Sequence, residues 1–253
     1  MAHQYIFWQY PVITEKVFNM QAHAQGLENY VGFPWATAID KKMNIEFLYG
    51  MISQKVNKDN FNVTCCQHIF FRRLIRLFKY LGIKMLYTPH KVYGEDQIEG
   101  IIIKPCPLFA VNVEDPSRNR IFRDVDFLGI DRKYLYSFQG AMQEGYLTDV
   151  RIRIFALPSK SDVHIRHIGE WHFNEIVYSK NQSAEGKVIA TDKHNSNTDD
   201  YNNLLLQSTF SLCPSGTGPN SIRFWESLAV GSIPVVLSDE LELPQHPLWK
   251  DSV

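Results

Sequence analysis

The residues best placed to do chemistry follow turns. Pro214-Ser-Gly-Thr-Gly-Pro-Asn220 is rich in residues that tolerate unusual backbone angles. Ser215, Gly216 and Thr217 lie within it, and Ser221, Arg223 and Glu226 follow at short spacing. A Gly-rich turn that opens a helix presents free backbone N–H groups and the positive end of the helix dipole, where phosphates bind. An arginine one turn on neutralises a diphosphate, and a glutamate one turn further accepts bonds from ribose hydroxyls. An ordinary Arg–Glu pair on a helix surface explains the same spacing. Earlier in the chain, His68 and His90 stand at the ends of short apolar runs, and Asp40 closes the Gly/Pro-punctuated stretch Gly32–Asp40. Phe33 and Trp35 in that stretch read either as a sugar-stacking platform or as core aromatics. Asp124-Val-Asp126 is an Asp-x-Asp triplet, a metal-binding pattern elsewhere, but it lacks a preceding hydrophobic strand.

The elements that must hold these residues alternate between strand and helix. Leu204–Leu206 end a helix, Phe210–Cys213 form an apolar strand, and Ser221–Val230 have helical spacing. In that helix Ile222, Phe224, Trp225, Leu228 and Ala229 make one broad apolar face, expected on the sheet. Arg223, Glu226, Ser227 and Val230 lie opposite, expected toward a cleft. Gly231 stops the helix and Ile233–Leu237 read as a second buried strand. Further strands are expected at Tyr5–Tyr10, Ile45–Met51, Ile83–Tyr87, Gly100–Lys104, Tyr134–Gln139 and Asp162–Ile168. Met20–Gly32 is compatible with a helix. Phe70, Phe71, Leu74, Leu77, Phe78 and Leu81 form the apolar side of an amphipathic helix, with Arg72, Arg73, Arg76 and Lys79 opposite and Gly82 as its stop. This alternation predicts an α/β fold with parallel sheets. Glu114–Lys133 reads as a linker and Ser179–Asp200 as an exposed loop.

Composition narrows the class. The chain has 253 residues, 45% of them hydrophobic and 13% aromatic, enough for a real core in one large or two small domains. A formal charge of -1 gives no reason to expect nucleic acid as a partner. Cys65, Cys66, Cys106 and Cys213 lack paired metal spacing and read as reduced core residues. No apolar run approaches the roughly 18 residues of a membrane helix. The first residues also lack a basic segment followed by an apolar one, so neither an anchor nor a signal peptide is expected.

The Pro214–Asp239 segment resembles the signature of exostosin-type glycosyltransferases. Pro214, Gly216, Ser221, Arg223, Glu226, Leu228, Gly231, Ile233, Pro234, Val235, Ser238 and Asp239 all fall on it. Tyr134–Gly140 is similar to the family's strand-to-glycine loop, Arg151 sits where an arginine is usual, and Trp171-His172 matches a family pair. The resemblance implies an inverting, UDP-sugar-dependent transferase with two Rossmann-like domains and a cleft between them, the GT-B plan. Residues 1–118 would be the acceptor side and residues 119–253 the nucleotide-sugar side. It also makes Thr148–Leu157 a helix, although Val150–Ile154 alternate like a strand. The donor would be held by Gly140, Arg151, Ser215, Gly216, Thr217, Ser221, Arg223 and Glu226, with no metal or other cofactor. The base would come from His68, Asp40 or His90, and Phe33 and Trp35 would meet a glycan acceptor. UDP-xylose is the donor guessed. A catalytically inactive nucleotide-sugar-binding module is the alternative. A sugar-nucleotide epimerase or dehydrogenase is disfavoured because no G-x-G-x-x-G follows the first strand. Lacking an anchor, the chain is similar to the short exostosin-like proteins of large algal DNA viruses, which implies a cytoplasmic location. Relatives continue past the signature, which implies a truncated C-terminal end.

Overall fold

The computed structural model describes residues 6–109, 119–169, 191–247 and 249. Contacts divide the chain into two compact units, Ile6–Leu108 with Glu240–Val253, and Phe109–Asp239. Both are α/β units built on parallel strands, consistent with Rossmann-like folding.

The first unit contains α1 (Thr14–Ala24), α2 (Trp35–Asp40), α3 (Ile45–Ile52), β1 (Asn62–Cys65), α4 (Ile75–Tyr80), β2 (Ile83–Thr88), β3 (Gln97–Ile98) and β4 (Ile101–Pro105). Its sheet runs β1-β2-β4-β3, parallel except for β3 against β4. Trp35, Leu48, Phe71, Phe78, Leu86 and Ile103 fill the core beneath it. Gly82, with φ of +74°, ends α4 in the left-handed region and lets β2 start at once. The basic helix is shorter than its periodicity suggests, since Phe71–Leu74 form a 3₁₀ turn ahead of α4. The chain returns to this unit after the second one. The amide of Tyr93 donates to Glu240 O, that of Glu242 donates to Lys91 O, and the buried Lys91 ammonium pairs with both Asp96 and Glu242.

Two strands expected in this unit are not strands. Ile45–Ile52 is helical because the Asn44 side chain accepts the Phe47 amide at 3.1 Å, and only Leu48 and Ile52, four residues apart, are buried. Within Tyr5–Tyr10 the described residues Ile6–Tyr10 are irregular. The helical stretch near the start is Thr14–Ala24, not Met20–Gly32, and the expected Gly32–Asp40 loop carries α2.

The second unit contains β5 (Tyr134–Gly140), α5 (Val150–Phe155), β6 (Val163–His167), α6 (Asp192–Leu206), β7 (Ser208–Pro214), α7 (Ile222–Ala229) and β8 (Ile233–Leu237). Its sheet runs β6-β5-β7-β8, all parallel. The described part of the expected linker is packed structure. Phe122 is buried with Tyr201, Leu205, Leu206 and Val230, while Val125, Phe127 and Ile130 lean on the same cluster. Arg132 explains why. Its Nη1 donates to the carbonyls of Leu205, Leu206 and Ser208 at 3.0–3.2 Å, and its Nη2 donates to Phe127 and Val230 at 2.9 and 3.0 Å. One guanidinium thus satisfies carbonyls left open at the C-terminal ends of both α6 and α7. Gly231 fits beside it because φ is +69° and a Cβ there would lie 3.0 Å from Phe127 O.

The expected 179–200 loop is helical over Asp192–Asp200, where Thr191 caps α6 by accepting the His194 amide. Trp171 and His172, and the rest of that loop, lie outside the described residues. Val150–Phe155 is a helix despite its alternating pattern. The Ile233–Leu237 strand is an edge rather than a buried strand, with Ile233 exposed. All four cysteines are buried free thiols. No helix among the described residues is long and apolar enough to cross a membrane.

Candidate functional site

In the second unit the polar groups gather where β5 and β7 end. Arg151, on α5, reaches across both ends. Its Nε donates to Ser215 O at 3.0 Å and its Nη1 to Ala141 O at 2.8 Å, while the guanidinium lies 4.4 Å from the Tyr146 ring. A Cβ on Gly140 would sit 2.8 Å from the Phe138 ring and 3.4 Å from Arg151 Nη1, and one on Gly216 would sit 3.3 Å from Arg151 Nη2. The two glycines therefore let the backbone close around this arginine. Ser215 is buried, with its hydroxyl 3.2 Å from that of Thr148. Its amide donates to Leu237 O at the end of β8 and the Gly216 amide to Gly218 O within the turn, so these two N–H groups are already used. Thr217 is exposed, and Ser221 is the extended residue from which α7 starts, its carbonyl accepting the Phe224 amide.

Helix α7 is turned the opposite way from its hydrophobic pattern. Arg223, Phe224, Glu226, Ser227 and Val230 are buried, while Leu228 is 41% exposed and Ile222, Trp225 and Ala229 are only half-buried. The polar strip can go inside because its groups find partners there. Arg223 Nη2 donates to Gln139 O at the end of β5, and the guanidinium lies 5.0 Å from the rings of both Phe138 and Tyr201. The Ser227 hydroxyl donates to Arg223 O at 2.6 Å. Tyr201 donates its hydroxyl to Glu226 Oε2 at 2.5 Å. Glu226, expected as a ribose ligand, is 1% exposed and accepts the Tyr201 hydroxyl. Burial pushes the Tyr201 phenol well above its usual range, which keeps it a donor. One atom of the strip is left over: Arg223 Nη1 is buried and has no hydrogen-bond partner among the described residues. Arg151 lies close enough that the Arg223 charge, together with burial as the larger cause, lowers its pKa. Two cations thus converge on one end of the sheet around Phe138.

In the first unit the expected bases come together at the C-terminal end of β1. Asp40 ends α2 and His68 follows β1 by three residues, with Asp40 Oδ1 to His68 Nε2 at 2.9 Å. The Phe70 amide donates to His68 Nδ1 at 3.0 Å, so Nε2 carries the proton and donates to Asp40. Both imidazole nitrogens are therefore occupied. Asp40 also accepts from Gln9, yet its side chain is 45% exposed and a carboxylate keeps further lone pairs free. Between the two, Asp40 is the group that presents a basic lone pair outward. His90 is buried, and desolvation pulls its pKa down to about 3, so it stays neutral behind the pair.

Trp35 is not a stacking face. It is wholly buried, its Nε1 donating to Thr64 Oγ1 at 2.8 Å and its ring edge-on to Phe78. Phe33 lines a cavity of about 500 Å³ with Tyr30, Lys55, Asn57, Asn60 and Asn62. Asn62 opens β1, so this cavity lies at the end of the strand opposite the Asp40–His68 pair. In the second unit Asp124 takes φ of +61° and Asp126 accepts the Leu128 amide at 3.1 Å, which makes the Asp-x-Asp triplet part of a turn. Among the described residues no group of three His, Cys, Asp or Glu side chains is placed to hold a metal ion.

The exostosin GT47 domain matches residues 99–250, more than half of the chain. The chain belongs to the exostosin GT47 family. Among curated relatives, Exostosin-1a of Danio rerio is 31% identical over 148 residues, 54% of this chain and 18% of that protein. The Exostosin-1 homolog of Caenorhabditis elegans is 29% identical over 144 residues, 54% of this chain and 35% of its own. Exostosin-1c of Danio rerio reaches 35% over 132 residues, 48% of this chain and 16% of that protein. The chain thus aligns with well under half the length of these relatives.

For this exostosin GT47 chain, two site residues carry no signal in the residue pattern. Tyr201 lies in a polar stretch 25 residues before the Glu226 it serves. Glu15 is buried behind Asp40 and touches segments 21 and 52 residues away. An unpaired acid near the start of a helix was the only available hint of it.

Proposed function

We propose that this exostosin GT47 chain is an inverting glycosyltransferase that moves a sugar from a UDP-sugar to a hydroxyl of a glycan acceptor. The observation that carries the proposal is the buried Arg223 Nη1, without a hydrogen-bond partner among the described residues, beside Arg151 at the ends of β5 and β7. A buried guanidinium nitrogen without a partner is costly unless an acceptor completes it, and the leaving diphosphate of a nucleotide sugar is such an acceptor. The end of a parallel sheet is where this fold class binds nucleotides. Asp40, oriented by His68, is assigned as the base. In such a transfer a base takes the proton of the acceptor hydroxyl as that oxygen attacks the sugar C1, the bond from C1 to the phosphate oxygen breaks, and UDP leaves with its charge on Arg151 and Arg223. Attack from the face opposite the leaving group inverts the anomeric carbon. The Tyr201 ring packs against the Arg223 guanidinium at 5.0 Å, and Glu226 accepts the Tyr201 hydroxyl.

The test is incubation with UDP-xylose, then with other UDP-sugars, in the presence of oligosaccharide acceptors. UDP release and the anomeric configuration of the product are followed by proton NMR. Transfer with inversion, reduced by roughly 10²–10⁴ in Asp40→Asn with UDP affinity unchanged, is expected. UDP binding without turnover on any donor would overturn the enzyme reading in favour of an inactive nucleotide-sugar-binding module.

A further inference from the structure

Behind the Asp40–His68 pair lies a carboxyl that the proposed mechanism does not use. Glu15 is 1% exposed, and among the described residues no ion pair reaches its carboxyl. Its Oε1 accepts the Gln67 amide at 3.0 Å and the Ala36 amide at 3.1 Å, and Oε2 approaches the Ala36 amide at 3.3 Å. The Glu15 amide in turn donates to the Gln67 side chain at 2.9 Å, whose Nε2 donates to Val12 O at 2.7 Å. Ala36 lies in the first turn of the six-residue helix that ends in Asp40, and Gln67 immediately precedes His68. These two backbone segments meet at Glu15, both donating an amide to its carboxyl.

We propose that Glu15 is a positioning residue for the Asp40–His68 pair, its buried carboxyl tying the backbone of the helix that bears Asp40 to the backbone of the turn that bears His68. The role for the pair rests on the transferase reading above; the clasp itself does not. Both amides converge on one oxygen, so an uncharged group with a carbonyl in that place makes the same bonds. Gln is therefore a functional replacement and Ala is not. A carboxyl tied this way also reports to the pair electrically. The groups facing it are the Cys66 thiol, which hydrogen-bonds to it, Asp40, whose charge helps to raise the Glu15 pKa, and Cys65 and Tyr30, whose ionisation Glu15 opposes. Burial, opposed by the two backbone bonds, raises its own pKa to about 8. Its charge therefore develops above neutral pH, next to Asp40.

The test uses the full chain as Glu15→Gln and Glu15→Ala, with two readouts. The first is independent of activity: the His68 ring ¹⁵N shifts and the Nε2–H resonance, followed from pH 6 to 10. The wild type is expected to show an inflection near pH 8 in the His68 shifts that is absent in Glu15→Gln, with the Nε2–H resonance kept in both and lost in Glu15→Ala. The second is transfer kinetics at pH 7. Glu15→Gln is expected within about threefold of wild type, and Glu15→Ala lower in kcat by roughly tenfold to a hundredfold with KM little changed, as for a displaced reacting group. His68 shifts that are the same in all three proteins, or Glu15→Gln as impaired as Glu15→Ala, would overturn the proposal. If Glu15→Ala does not fold, the wild-type and Glu15→Gln comparison at pH 8 still decides it. Unchanged turnover in Asp40→Asn with the NMR results as expected would sink the transferase assignment of the pair and leave the clasp standing.

Discussion

Replacing Glu15 by Gln should flatten the dependence of stability on pH, and the size of the effect follows from its surroundings. In the unfolded chain this carboxyl titrates at its ordinary 4.5, whereas in the folded protein burial, only partly offset by the amides of Gln67 and Ala36, carries it to about 8. Between those values the folded state keeps a proton that the unfolded state releases. Stability is therefore greatest below 4.5, falls as pH rises, and levels off above 8. Each pH unit in that window is worth roughly 1.4 kcal/mol, so the wild type should lose on the order of 5 kcal/mol across it from this group. At pH 7 the loss already stands at about 3 kcal/mol. Gln has no proton to release and its carbonyl takes over the bonds of Oε1, so Glu15→Gln should gain that amount on the wild type at pH 7 and nothing below pH 4.5. Urea unfolding of both proteins at pH 5, 7 and 8.5, followed by tryptophan fluorescence, measures the difference. Two stability curves that run parallel over this range would refute the reasoning.

Other substitutions read out the remaining contacts. Arg132→Lys should destabilise the second unit by about 2–4 kcal/mol in urea, because an ammonium cannot span carbonyls at the ends of two helices. Tyr201→Phe removes a donor to a buried carboxylate and should cost about 1.5–3 kcal/mol by the same assay. A change below a few tenths would mean that Glu226 is held by other groups. Trp35→Phe should lower the melting temperature through lost packing and the lost bond to Thr64, yet leave acceptor KM unchanged, since the ring is inside the core. A selective rise in acceptor KM would restore it to the binding surface.

Much of the sheet framework is legible in the residues, and the reasons it is not all legible are physical. Ile83–Thr88, Ile101–Pro105 and Tyr134–Gly140 are compact apolar runs bounded by turn residues, and each is a strand of a parallel sheet. Ile45–Ile52 is equally apolar but helical, and short runs of this kind do not distinguish the two; the Asn44 cap was the available signal. Helix α7 shows the deeper difficulty. Periodicity ranks faces by hydrophobicity, but Arg223, Glu226 and Ser227 are buried because Gln139, Tyr201 and the backbone supply partners that only the tertiary fold creates. The Gly-rich turn and its arginine were visible as a motif for the same reason that Glu15 was not. The first is a local spacing, the second a contact across 52 residues.

The central claim is that Arg223 and Arg151 form the binding place for a nucleotide diphosphate. Calorimetric titration of the chain with UDP, with and without a metal chelator, tests it most directly when repeated on Arg223→Met, which keeps the apolar stem against Phe138 and Tyr201 but removes the charge. The account predicts chelator-insensitive binding that weakens by about tenfold or more in the variant. Equal affinity in the two proteins, or binding lost on chelation alone, would contradict it.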